Sequence, residues 1–97
     1  PLWELPADFP HADWGYCIEA LMWLPPEKLD ESLAEIRRTC DALFVQVYAH
    51  DWTCCGVPMT TIKMTEEEWR AKLRETWKYV DPIRHPETRM RFLFVCR

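Results

Sequence analysis

Glycine is nearly missing from this chain: Gly15 and Gly56 are the only two among 97 residues. A loop that cradles a phosphate on backbone N–H groups needs several glycines close together, so a site of that kind is excluded. No run of ~20 apolar residues occurs, which leaves no candidate for a membrane-spanning helix, and no signal-peptide pattern is found. Positive charge is also scarce. Twelve Lys and Arg stand against 16 Asp and Glu, a net charge of −4, and no basic run exists to follow a phosphate backbone. Membrane and nucleic acid are therefore not expected partners. The five cysteines are odd in number and lack any Cys-x2-Cys pair. That argues against a disulfide framework and for reduced thiols in the cytoplasm.

What the chain has in quantity is large rings: six Trp, three Tyr and four Phe. An apolar fraction of 48% is that of a folded protein. This length is expected to form a single domain, 1–97, burying roughly 60–65% of its unfolded surface without metal or disulfide.

Residues 1–15, with Pro1, Pro6 and Pro10, show neither helical nor strand period and read as an extended N-terminal arm. Tyr16 to Leu24 is apolar on both parities and reads as a buried strand, with a helix as the runner-up. Pro25-Pro26 ends it. Leu29, Leu33, Ile36, Cys40 and Leu43 then fall at i, i+4, i+7, i+11 and i+14, the stripe of an amphipathic helix over about 27–43. Strands follow near 43–50 and 57–64. Thr65 and Glu68 form a capping box, and the helix behind them, 66–80, carries Trp69, Leu73, Trp77 and Val80 on one face. Asp81-Pro82 stops it, and a last strand runs over 89–96.

The order β-α-β-β-α-β is the outline of a ferredoxin-like α+β sandwich. The two segments His11-Ala12-Asp13-Trp14 and His50-Asp51-Trp52 each lead into one strand–helix–strand half. Right-handed crossovers would give an antiparallel sheet of order 4-1-3-2 with both helices on one face.

That topology sorts the chemistry. His50, Cys54, Cys55 and His85 fall at one end of the sheet and in principle supply four zinc ligands, yet adjacent cysteines on an extended chain point apart. A loop Cys, a buried Cys and two surface His is the expectation, with no metal and no cofactor. A thiol near His50 offers proximity but no signature of a cysteine nucleophile. His11, Cys17, Cys40 and Cys96 gather at the opposite end and read as core packing. Pro1 stands where a tautomerase carries its base, but Leu2-Trp3-Glu4-Leu5-Pro6 breaks the strand such chains require. Glu66, Glu67 and Glu68 are explained by capping. Glu19, alone in an apolar run, reads as an edge or interface residue. No catalytic residue is assigned.

The rings carry the positive argument. In the last strand Met90, Phe92, Phe94 and Cys96 line one face, and Leu93 and Val95 the other. A sheet with helices on one side should be polar on the other if that side meets water. This one is not, so something is expected to cover it: first the Trp3–Trp14 arm, next a second copy in a homodimer, or a different protein. The expectation is a small non-enzymatic protein-binding module, an adaptor or inhibitor of the kind common in phage and mobile elements by analogy alone. Its partner contacts would be Trp3, Trp14, Trp52, Glu19 and His50. The alternatives are a dimeric α+β-barrel enzyme or ligand-binding protein with an aromatic-lined cavity, and a thiol- or zinc-binding domain.

Overall fold

Alternating apolar residues, four-residue repeats and one capping box decide where the elements fall. In the computed structural model, which describes residues 1–48, 53–84 and 91–97, the order is β1 (Ala12–Ile18), α1 (Leu29–Thr39), β2 (Cys40–Tyr48), β3 (Thr53–Cys54), β4 (Val57–Pro58), α2 (Glu66–Arg74), β5 (Val80–Ile83) and β6 (Arg91–Cys96). Single 3₁₀ turns at Leu21–Trp23 and Pro26–Lys28 join β1 to α1. The α2 capping box forms: Glu68 N–H donates to Thr65 Oγ1 at 3.2 Å, and Thr65 N–H to Glu68 Oε1 at 3.1 Å. Asp30 and Glu31 sit in the first turn of α1, and Arg37 and Arg38 in its last, as the helix dipole favours.

The fold is α+β, with two helices and a mixed four-stranded sheet, but the sheet is not the ferredoxin-like one. Its order is β1-β2-β6-β5, with β1 parallel to β2 and the other neighbours antiparallel. Three local readings account for the difference. The strand expected over 16–24 lies four residues earlier. It ends at Glu19, whose φ of +52° breaks the extended path, and Leu21 and Met22 are fully buried in a 3₁₀ turn. Apolar residues on both parities there mean a buried turn and not a two-sided strand.

The strand expected over 57–64 shrinks to the hairpin β3–β4, closed by Cys55 (φ +52°) and Gly56 (φ +80°) in a type I′ geometry. Residues 59–64 then run beside the core, with Thr61 and Ile62 N–H donating to the Met22 carbonyl. The missing strand is β5, from chain that carries the end of the expected helix. Thr76, Tyr79 and Val80 favour extended backbone, and α2 stops at Arg74. Pro82 is tolerated because β5 is an edge. With no strand inserted between them, β1 and β2 become neighbours joined through α1, a β-α-β unit.

The helices pack on one face. Leu29, Leu33 and Ile36 of α1 and Trp69 and Leu73 of α2 share a cluster with Cys17, Leu43, Val45, Val47, Val80, Phe94 and Cys96. Trp77 is buried there too, from the turn that follows α2.

Candidate functional site: the open face of the sheet

Strand parity assigns the two faces. Leu43, Val45 and Val47 of β2 enter the core, so Ala42, Phe44 and Gln46 turn the other way. Pairing carries this across the sheet: Trp14 lies beside Ala42, Tyr16 beside Phe44 and Ile18 beside Gln46, and across β6 Phe44 meets Val95 and Gln46 meets Leu93. Ile83 extends the row from β5, opposite Leu93. The row is largely apolar, but Ala42 and Leu93 within it are buried, and its large exposed side chains lie along the two edge strands, β1 and β5. Tyr16 is 79% exposed, Trp14 54% and Ile18 53%. Tyr16 and Phe44 stack edge to face, ring centres 6.5 Å apart. Tyr48, the last of the alternate positions, is buried instead, its hydroxyl accepting from Trp23 Nε1 at 2.9 Å.

Two ion pairs among the described residues flank this surface. At one end Arg91 Nε lies 3.1 Å from Glu19 Oε1, and Gln46 Nε2 donates to the same oxygen at 3.1 Å. At the other end Arg97 pairs with Asp81 at 3.3 Å. Glu19 therefore does sit at the rim of the face, held as an ion-pair and hydrogen-bond acceptor.

The arm does not cover the face, contrary to the first expectation. It lies against α1: Leu5 N–H donates to Glu35 Oε2 at 3.1 Å, and Arg38 reaches the carbonyls of Leu5, Pro6 and Ala7. Trp3 is half-buried beneath Lys28, whose Nζ is 6.0 Å from the ring centre. Trp3 and Trp14 thus belong to different surfaces. Between arm, β1 and α1 runs an apolar groove of about 340 Å³, lined by Leu2, Leu5 and Phe9 of the arm and, on the β1 side, by Trp14 and Tyr16 among others, so the groove opens beside the β1 end of the face. It lies where Gly15 has no side chain; a Cβ there would stand 3.1 Å from Cys40 Sγ.

Of the expected site residues, His50, Trp52 and His85 lie outside the described residues, as does Met90. Cys54 and Cys55 are exposed, and their Sγ atoms come within 4.0 Å because the I′ turn folds the chain back, which an extended pair would not do. Among the described residues no group of three or more His, Cys, Asp or Glu side chains is placed to hold a metal.

The other three thiols, Cys17, Cys40 and Cys96, are buried. Burial pushes Cys17 up to about 11 and Cys96 up to about 12, and raises Cys40 as well. They stay protonated at neutral pH, which removes them as nucleophiles.

Sequence reasoning missed Tyr16, Ile18 and Ile83 as surface residues. The signal was present: Ala12, Trp14, Tyr16 and Ile18 alternate with Asp13, Gly15 and Cys17. The chain matches no protein-family model, no curated protein and no solved structure. Among the described residues, no helix is long and apolar enough to cross a membrane.

Proposed function

We propose that this protein is a non-enzymatic protein-binding module, an adaptor or inhibitor, whose contact surface is the open face of its sheet. The observation that carries the reading is the row Trp14, Tyr16 and Ile18, exposed beside Phe44 on a face lined with further apolar residues. Exposed apolar patches of this kind mark interaction surfaces, and rings at their centre supply most of the binding energy. The occupant that fits is a protein presenting an apolar surface of its own. Among the described residues, the two arginines that flank the face, Arg91 and Arg97, are each paired with a carboxylate, Glu19 and Asp81, which does not favour a phosphate backbone as the occupant. Buried free thiols support a reducing, cytoplasmic setting.

The test is affinity capture with the native chain, Trp14→Ala, Tyr16→Ala and the α1 surface variant Glu31→Ala, with circular dichroism confirming each fold. The expected result is a protein held by the native chain and by Glu31→Ala and lost with both face variants. Binding that ignores the face and depends on Glu31, Glu35, Arg37 and Arg38 refutes the reading. So does preferential capture of single-stranded nucleic acid.

A further inference from the structure

The two edges of the sheet are built differently. Strand β5 is four residues long and contains Pro82, which presents no N–H, beside a charged Asp81. Such features keep an edge from pairing with another chain. Strand β1, the opposite edge, has seven residues with no proline and no lysine. Among the described residues it pairs with β2 alone, and the arm gives it no backbone hydrogen bond. The arm's own bonds are Glu4 N–H to Pro1 and Phe9 N–H to Pro6, and its other ties run to α1.

Hydrogen-bond alternation identifies the groups left over. Glu19 N–H donates to the Gln46 carbonyl at 2.8 Å. In a parallel ladder, residues two apart turn N–H and C=O to the same neighbour, and the residues between turn theirs away. Asp13, Gly15 and Cys17 therefore serve β2, while Ala12, Trp14, Tyr16 and Ile18 point their backbone groups outward.

We infer that a second copy of this chain pairs with β1, antiparallel and centred on Gly15, joining two four-stranded sheets into one. The inference concerns the edge and stands independently of whether the face binds another protein. In this register Trp14 lies opposite Tyr16 of the second copy and Ala12 opposite its Ile18. All four outward residues then exchange both backbone bonds with a residue whose groups are also outward. The aromatic pair repeats on either side of the two-fold axis, the kind of cross-strand contact that stabilises antiparallel pairs. Gly15 meets Gly15 at the axis, where strands approach most closely and a side chain would crowd. Asp13, the one charged residue of β1, faces a neutral Cys17, so no like charges oppose. The interface is self-complementary, as a two-fold dimer requires.

The test combines mass and amide exchange on the native chain. Sedimentation from about 1 μM to about 1 mM should show twice the 11.7 kDa of one chain at the upper end. Over the same range the amides of Trp14, Tyr16 and Ile18 should become protected, while those of Gly15 and Cys17 are protected throughout. Tyr16→Pro removes an outward N–H that β2 does not use and should weaken association at least about tenfold, with Tyr16→Phe unaffected. A monomer at every concentration overturns the inference. So does a dimer whose Trp14, Tyr16 and Ile18 amides exchange as freely as in dilute solution, or one that tolerates Tyr16→Pro. Should Tyr16→Pro fail to fold, exchange on the native chain decides alone.

Discussion

The two faces of this sheet are made from alternate residues of the same strands, and both are apolar. On one face Val45 and Phe94 lie opposite each other beneath the helices, with no surface left to water. On the other, Tyr16 and Phe44 are neighbours in the same sheet, and Tyr16 keeps most of its surface. Residue type does not distinguish them. What differs is that two amphipathic helices have two stripes to bury, and both go to the same side. A sheet with only one face covered by helices normally turns polar on the other where it meets water. Here the second face keeps much of the character of a core, and it is the residues of its edge strands, Trp14, Tyr16, Ile18 and Ile83, that stand exposed.

The contrast is broken most severely by truncation. Leu33→Ala or Leu73→Ala on the covered side should cost about 2–5 kcal/mol in urea unfolding, from lost burial and the cavity left behind. Tyr16→Ala on the open side should cost less than about 1 kcal/mol, because its ring is already in water. Equal costs would mean that the open face is packed in solution and the two-face distinction is wrong. The same substitutions should invert their order in binding. Trp14→Ala or Tyr16→Ala should weaken partner binding by about 2 kcal/mol or more, with Leu33→Ala acting only through loss of folded protein.

A smaller effect sharpens the covered side. The unfolded thiols ionise near 9, whereas folded Cys17 and Cys96 resist to about 11 and about 12 because burial disfavours the thiolate. A raised folded pKa contributes stability that is complete below pH 9 and is lost as pH climbs through the folded values. Between pH 8 and pH 10 each thiol should therefore give up about 1 kcal/mol. Denaturant midpoints at the two values check this. Cys96→Ala should flatten its share of the slope, and a midpoint indifferent to pH 10 would show the thiols to be accessible.

The helices were legible in the sequence because each rests on a period that a single chain displays: the Leu29–Leu33–Ile36 stripe and the Thr65–Glu68 box. The sheet was less legible, because strand neighbours depend on which segments decline to join. Trp69, Leu73, Trp77 and Val80 continue a helical stripe on paper. All four are buried, yet the last two arrive from a turn and a strand. Burial was specified and backbone was not. The same holds for the site. A surplus of apolar surface opposite the helices was readable from β6, but most of the residues that expose it come from β1, whose alternation begins at Ala12, inside the stretch that its prolines mark as an extended arm. Trp3 could not be separated from Trp14 without knowing that Arg38 and Glu35 draw the arm onto α1.

The smallest effect expected lies where the two faces meet the free edge. His11 precedes β1, with Nε2 2.8 Å from Asp41 Oδ1 and Nδ1 3.1 Å from the Arg38 carbonyl. A neutral imidazole carries one N–H, so only the protonated ring donates to both acceptors at once. The hydrogen bond to Asp41, and after it the one to Arg38, accordingly raise the His11 pKa above 6.5. The contribution of this contact is complete below 6.5 and disappears as pH rises through the raised folded value, so acid and not alkali should fasten the start of β1 to α1 and β2. An NMR titration of the His11 ring should find its midpoint above 6.5 and should find it moved downward in Asp41→Asn. The ring is open to solvent, so added salt should lower the midpoint as well. A midpoint at 6.5 that neither Asp41→Asn nor salt displaces would mean that the entrance to β1 is not held by this pair, and that the edge strand is anchored through its ladder with β2 alone.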